Sequence, residues 1–291
     1  MRNATRRLFG LSFMFACPAL AQEQGFSFHA RLFGTASELG SIHRFDPSVS
    51  YSLNRYVAIE GGVPFYFVSL SAPSSTPGLA NAHGAGLGNA YGAGRLTLPN
   101  PILEFSSILT VAAPTGDKDL GLTTDRTTYD WSNHFRRSIG RVTPFAIAGL
   151  ANTITDTPFF VRPFSSYGTV GHLEGGTEYD VWRIAGVGAS AYAVIPAREQ
   201  RIVSRVVERP RTSVPGRGTG SGRRRFETVS EFLGTADDAR DRGFSMWLHA
   251  KPAPAVYLEV GYARSTYLSL NSMFYGIGFN VGAITRKLRR P

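Results

Sequence analysis

The 291-residue chain contains one cysteine, Cys17, and after Ala21 no apolar run approaches the roughly 18 to 20 residues that a membrane-spanning helix requires. Cys17 sits in an export signal. Arg2, Arg6 and Arg7 form its positive n-region, Leu8 to Ala16 its apolar core, and Ala19-Leu20-Ala21 an A-x-A cleavage site. Cleavage after Ala21 removes residues 1–21 and leaves a chain, 22–291, without thiol, disulfide or cysteine metal site. Lipidation of Cys17 competes with this reading, but Met14-Phe15-Ala16 before it and Pro18 after it suit lipidation poorly. Without an apolar helix, a mature chain that spans a bilayer spans it as strands.

Metal and nucleophile signatures are also missing. Six histidines, at 29, 43, 83, 134, 172 and 249, show no metal-ligand spacing, and no H-E-x-x-H occurs. The glycine cluster at 84 to 94 does not match G-x-G-x-x-G, because Asn89 or Tyr91 takes the place of the last glycine. Ser190 lacks the flanking glycines of a nucleophile elbow. Asp117, Asp119 and Asp125 read more readily as a solvated turn than as a calcium loop. Asp130, Ser132 and His134 share one face of one strand, about 7 Å between neighbours, too far apart for a direct Ser-His hydrogen bond without help from an adjacent strand. We therefore expect no enzyme, no cofactor and no metal.

Charge is present but local. Three arginines leave with the signal, lowering the formal excess from +10 to +7. Residues 196 to 225 hold nine arginines (198, 201, 205, 209, 211, 217, 223, 224, 225) against Glu199 and Glu208, which equals the whole mature excess. Basicity confined to one loop does not indicate a nucleic-acid-binding fold. Arg201, Val203, Arg205 and Val207 alternate, as do Phe226, Thr228, Ser230 and Phe232, so this loop, within 196–242, is expected to prolong two strands as a hairpin with its tip at Pro215 to Gly222. Arg201, Arg205, Arg209, Arg211, Arg217, Arg223, Arg224 and Arg225 are candidates to contact anionic lipopolysaccharide phosphates. A solvated loop fits them as well.

What dominates the remaining sequence is alternation with a period of two, which sets apolar and polar residues on opposite faces of strands. Phe26, Phe28, Ala30 and Leu32 alternate with Ser27, His29 and Arg31. Phe45, Pro47, Val49, Tyr51 and Leu53 make the next outward row, followed after Asn54-Arg55 by Val57, Ile59, Gly61, Val63, Phe65 and Phe67. Further strands are expected near 86–98, 103–111, 129–135, 144–152, 170–179, 184–195, 244–251, 256–264 and 273–283, with irregular segments at 70–83, 114–126, 155–167 and 196–242. The total is about twelve, joined by turns alternately short and long, with both termini at the short-turn end.

The opposite face carries Glu60, Arg95, Glu104, Asp130, His134, Arg136, His249, Lys251 and Glu259. A β-sandwich buries its shared face, where unpaired charges cost several kcal/mol. A sandwich with polar outer faces shows the same alternation, because one sequence does not say which face is interior. The export signal, the turn asymmetry and the aromatics near strand ends (Tyr56, Phe65, Tyr129, Trp131, Tyr262, Tyr275) favour an all-β, antiparallel, up-and-down transmembrane barrel in a bacterial outer membrane, with those nine residues lining its lumen.

Gly86-Leu-Gly88-Asn89-Ala-Tyr91-Gly92-Ala-Gly94 in a strand, then Ala113-Pro114-Thr115-Gly116-Asp117 at a strand exit, then Pro144-Phe145 with Gly149, resembles the outer-membrane proteins named for the meta-pathway of phenol degradation. Asn89 stands where that family usually has Asp. The resemblance implies a barrel and uptake of small, often aromatic or hydrophobic compounds, and brings no established binding residues. Gly276, Phe279 and Val281 resemble the final-strand signal read by the outer-membrane assembly machinery, although Phe274 replaces a common polar residue and a basic tail follows. The expectation is a monomeric passive channel for small molecules, in contact with lipid and lipopolysaccharide. The alternative is a structural or adhesive surface protein that binds anionic polysaccharide through the arginine-rich loop.

Overall fold

The computed structural model describes residues 25–70, 83–100, 102–157, 160–206, 229–253 and 255–280. Residues 1–24, with the expected export signal, 71–82, 207–228, with most of the arginine run, and 281–291 lie outside the described residues. Strands β1 (Gly25–Ser37) and β2 (Gly40–Ser52) form a hairpin. β3 (Val57–Gly62) and β4 (Phe65–Leu70) are two halves of the next stave, and β5 (His83–Leu87) and β6 (Tyr91–Leu98) two halves of the one after. β7 (Glu104–Ala112), β8 (Thr128–Arg136) and β9 (Val142–Ala151) follow, then β11 (Val170–Asp180) and β12 (Ala185–Pro196), with the short β10 (Phe164–Tyr167) before β11. β13 (Gln200–Ser204), β14 (Glu231–Gly234) and one helical turn, α1 (Ala236–Ala239), precede β15 (Asp241–Ala253), β16 (Val256–Ser265) and β17 (Leu270–Asn280).

With each split stave counted once, twelve antiparallel staves form one sheet, and β1 closes it by pairing with both β2 and β17. Closure removes the sheet edges that an open sheet would expose. The architecture is the up-and-down barrel read from the alternation. Its outward rows are apolar and solvent-accessible, with Ile59 at 53%, Leu109 at 50% and Leu150 at 55% exposure. The neighbouring inward residues Ser27, His29, Ser48 and Ser50 are buried. Such a belt around a closed barrel is a surface for lipid, which makes this a transmembrane barrel.

The two split staves break at the same height. Pro64 has no N–H to donate to a ladder, and its carbonyl instead accepts from Gly88 N–H at 2.7 Å. Thr115 Oγ1 accepts from Ala90 N–H at 2.8 Å, and Asn89 Oδ1 accepts from Gly116 N–H at 3.0 Å. The glycine-weighted stretch at 86–94 and the Ala113–Asp117 stretch thus meet, one bracing the gap left by the other.

Turns alternate as expected. One end has the short connections 53–56, 99–103, 137–141, 181–184 and 254–255 together with both described termini; the other has the longer segments and two tight turns, 38–39 and 266–269. Gly140 takes φ +64 inside the 137–141 turn, a left-handed conformation open to glycine at no steric cost.

The segments expected to be irregular are partly regular. β10, β13 and β14 pair into a separate three-stranded sheet, with β13 between the other two. Of the expected hairpin, the described part is paired, 200–203 against 231–234, with Val203 opposite Glu231. It does not prolong β12 and β15, because β13 turns away to pair with β10. Phe164, Ile202 and Phe232 of this sheet are almost fully buried against Phe33, Ile42 and Val68, inward residues of the barrel's long-loop end.

Candidate functional site

The barrel interior has three distinct parts. The first is a charged strip on neighbouring staves. Arg95 on β6 lies 3.8 Å from Glu60 on β3, and Arg31 on β1 lies 3.3 Å from the same carboxylate. Arg44 meets Asp46 at 3.0 Å, and the Tyr91 hydroxyl donates to Asp46 at 3.1 Å. Farther round, Arg136 on β8 pairs with Glu178 on β11. Side chains of Arg31, Glu60, Arg95 and Arg136 keep 14 to 18% exposure, so water reaches this strip.

The second part is apolar and filled. Phe145, Trp247 and Phe274 point inward from β9, β15 and β17 and pack around Ala263. Trp247 and Phe274 are 3% and 1% exposed. Their rings fit because glycines stand opposite: a Cβ on Gly188 would collide with the Trp247 indole, and one on Gly261 with the Phe274 ring. Interior volume on this side is taken by side chains, as in narrow barrels.

The third part is the loop that crosses the long-loop end. It leaves β9 and returns as β10 and β11, yet reaches the opposite wall: Thr35 Oγ1 on β1 donates to Val161 O at 3.2 Å, and the Tyr66 hydroxyl on β4 donates to Asp156 at 2.9 Å. Arg205 after β13 donates to both Asp156 oxygens, at 3.1 and 2.9 Å, and Arg162 N–H to Oδ1 at 3.0 Å. Arg44 stands 4.0 Å away. Burial alone would push the Asp156 carboxyl up. The Arg205 and Arg44 guanidiniums, with the donated hydrogen bonds, outweigh it and hold the group below the usual carboxylate range. The Arg205 guanidinium is correspondingly raised; desolvation opposes its charge, and Asp156 more than compensates. Arg162, itself buried, lies 3.5 Å from Asp241 of β15. Beneath the loop a cavity of about 60 Å³ is bounded by Phe160, Arg162, His172, Glu174 and Tyr192.

The nine residues expected in the lumen all have inward strand parity, but their partners differ from a simple facing of opposite signs. Only Glu60 and Arg95 pair with each other. Glu104 is level with Arg136 in the ladder, whereas the ion pair of Arg136 is with Glu178. Glu259 accepts from the Tyr257 hydroxyl at 2.8 Å, and Lys251 lies 5.9 Å from the centre of the same ring. His249 is 3.9 Å from Asp180.

Asp130 and His134 belong to different contacts. Asp130 meets His172 at 3.2 Å and accepts from Thr155 at 3.1 Å. Ser132 Oγ is 3.0 Å from His134 Nε2, which corrects the expectation that these two cannot touch: the Cα spacing of about 7 Å is bridged by an imidazole leaning along the strand. Asp130 orients His172 and not His134, so the three residues are not arranged as a relay.

Arg201 and Arg205 turn inward rather than toward an outer anion. Arg201 Nε donates to Glu231 at 2.6 Å and its Nη1 to Thr124 O at 3.1 Å, and Arg205 serves Asp156. Arg209, Arg211, Arg217, Arg223, Arg224 and Arg225 lie outside the described residues. Asp117 closes a turn by accepting from Asp119 and Leu120 N–H, and Asp125 pairs with Lys118.

Arg31, Arg44, Asp46, Glu174 and Glu178 were missed by the sequence reading. For three of them the signal was there: Arg31 stands in the polar row of β1, and Arg44 and Asp46 alternate with the outward Phe45 and Pro47; on β11 no face had been assigned. Asp156 and Arg162 had no such signal, because they come from a segment with no alternation.

No protein-family model matches the chain, and no curated protein does. Among solved structures, the chain is similar to an outer membrane channel from Pseudomonas putida F1, with 10% identity over 91% of this chain and 99% of that one and a TM-score of 0.56. It is also similar to the KdgM porin (9% identity, 87% of this chain and 98% of that chain, TM-score 0.47) and the NanC porin (7%, 87% and 98%, 0.49). At these identities the likeness concerns the fold, and the argument rests on the Pseudomonas channel alone. The class is therefore a closed, antiparallel β-barrel of the outer-membrane kind.

Proposed function

We propose that the chain is a passive outer-membrane channel for small molecules, with permeation along the charged strip of Arg31, Glu60, Arg95 and Arg136 and access controlled by the crossing loop. The observation that carries this reading is the uneven interior: aromatic rings fill part of it, while side chains of both signs that keep some exposure to water stand beside them on β1, β3, β6 and β8. Ionised groups inside a barrel that served only as a scaffold would be costly unless paired, and apolar residues of similar volume would fill the space as well. Mixed charge supports weak selectivity rather than exclusion of one sign. Small aromatic or hydrophobic cargo, as in the phenol meta-pathway proteins, is the finer form of the same proposal.

Conductance in planar bilayers decides it. Wild-type protein is expected to give small, weakly selective currents, enlarged when Asp156 is neutralised. Silence from both proteins, with normal barrel formation, would favour the adhesive reading instead. In that case anion contact would rest on Arg209 to Arg225, since Arg201 and Arg205 are engaged within the fold.

A further inference from the structure

At the short-turn end, which is periplasmic in outer-membrane barrels, the turns 137–141 and 181–184 lie side by side, joined by a hydrogen bond from Asp180 N–H to Arg141 O at 2.9 Å. Arg137, Arg141 and Arg183 are exposed there, and none forms an ion pair among the described residues. Between them stand three large apolar side chains that fold burial leaves in the open: Ile139 at 55%, Trp182 at 72% and Ile184 at 57% exposure. Both turns are closed by a backbone hydrogen bond, with Ile139 N–H donating to Val142 O at 2.8 Å and Trp182 N–H to Ala185 O at 2.9 Å. Among the described residues, the carboxylate at their junction is Asp180, half-exposed and 3.9 Å from His249.

We propose that these two turns bind the headgroup of an anionic phospholipid in the inner leaflet. Two observations choose lipid over a protein partner. The patch is continuous with the lipid-facing belt, since exposed Val142 and Tyr179 stand on the strands directly above it. Its composition, arginines between an indole and branched apolar side chains, matches the boundary where acyl chains give way to phosphate: the apolar groups insert and the guanidiniums take phosphodiester oxygens. Arg55, on the distant turn between β2 and β3, is stacked on Tyr56 with 4.5 Å to the ring centre and is the single arginine of its turn.

The test uses full-length protein in nanodiscs of phosphatidylethanolamine with one-fifth phosphatidylglycerol, followed by mild detergent extraction and native mass spectrometry of the retained lipid. Wild-type protein should retain phosphatidylglycerol preferentially. Each cation near an anionic surface is worth about fivefold, so R137Q/R141Q/R183Q should lower that retention at least tenfold, while R55Q leaves it unchanged. Heat-modifiable migration reports whether each variant is folded. As a measurement that needs no triple variant, Trp fluorescence should be quenched more by brominated phosphatidylglycerol than by brominated phosphatidylethanolamine, and W182F should erase the difference. Equal retention of both lipids by wild-type protein, an unaltered triple variant, or an equal loss in R55Q would overturn the assignment.

Discussion

Neutralising Asp156 should release the crossing loop while leaving the barrel intact. In Asp156→Asn the shape is nearly conserved, but Arg205, only 7% exposed, loses the carboxylate it grips with two hydrogen bonds, while Arg44 keeps Asp46 at 3.0 Å. Breaking a buried pair by removing one partner costs about 3 to 5 kcal/mol, because the remaining charge is left without compensation. An increment of about 3 kcal/mol raises the population of a loop-open state roughly 150-fold. The twelve-stave ladder contains none of these bonds, so the cost falls on the loop and its small sheet. Conductance in bilayers and amide exchange over 153–169 and 200–206 read the two sides: larger or more frequent openings, and exchange accelerated in the loop and its small sheet but not in β7 or β16. Tyr66→Phe, which removes a single hydrogen bond to the carboxylate, should act in the same direction at about 1.5 to 3 kcal/mol. The pH dependence has a definite sign. A carboxyl held below its unfolded value contributes stability above that unfolded value, near 3.9, and loses it as pH falls through the depressed folded value. The loop should therefore stay latched at neutral and mildly acidic pH and loosen only in stronger acid. If Asp156→Asn changed neither current nor exchange, the latch would be wrong, whatever the channel does.

Three other outcomes follow from the barrel wall and interior. Replacing Arg95 and Arg136 by Glu should shift reversal potentials toward cation selectivity with nearly unchanged assembly; a block in assembly with unaltered current in the surviving protein would show that these positions do not line the path. Gly188→Val should disrupt assembly, seen as loss of the heat-modifiable band, because its branched side chain would occupy the space of the Trp247 indole in a closely packed interior. Ile59→Arg on the outer face should destabilise the folded barrel by about 2 to 4 kcal/mol if that position lies near mid-membrane, measured by urea titration in lipid; a change within error would remove Ile59 from the lipid belt.

The outer face was legible because its environment is uniform. Lipid asks the same thing of every outward position, so Phe26, Ile59, Leu109 and Leu150 announce themselves by parity alone, and twelve staves follow from counting rows. Polar inward positions were legible at the level of parity but not of partner. Glu60 meets Arg95 because their strands are neighbours at a common height, whereas Arg136 takes Glu178 from β11, two staves away; stave tilt and height decide this, and neither is written in a single row.

The interior of the long-loop end was not legible, and the reason is physical rather than a shortage of pattern. Inward residues there face no constant solvent but a sheet assembled from three segments remote in sequence. Phe33, Ile42 and Val68 carry inward parity and apolar character together, which looks like a flaw in the alternation until Phe164, Ile202 and Phe232 arrive to cover them. The same holds for the charges. Arg205 in a run of arginines suggests an outward, solvated role, yet once β13 pairs with β10 it is carried to Asp156, and a cation that would gain little at the surface becomes the counterion of a buried carboxylate. An apolar residue at an inward position of a barrel is thus itself a signal: it marks where a loop must fold in, since water would leave that surface unpaired with any apolar partner.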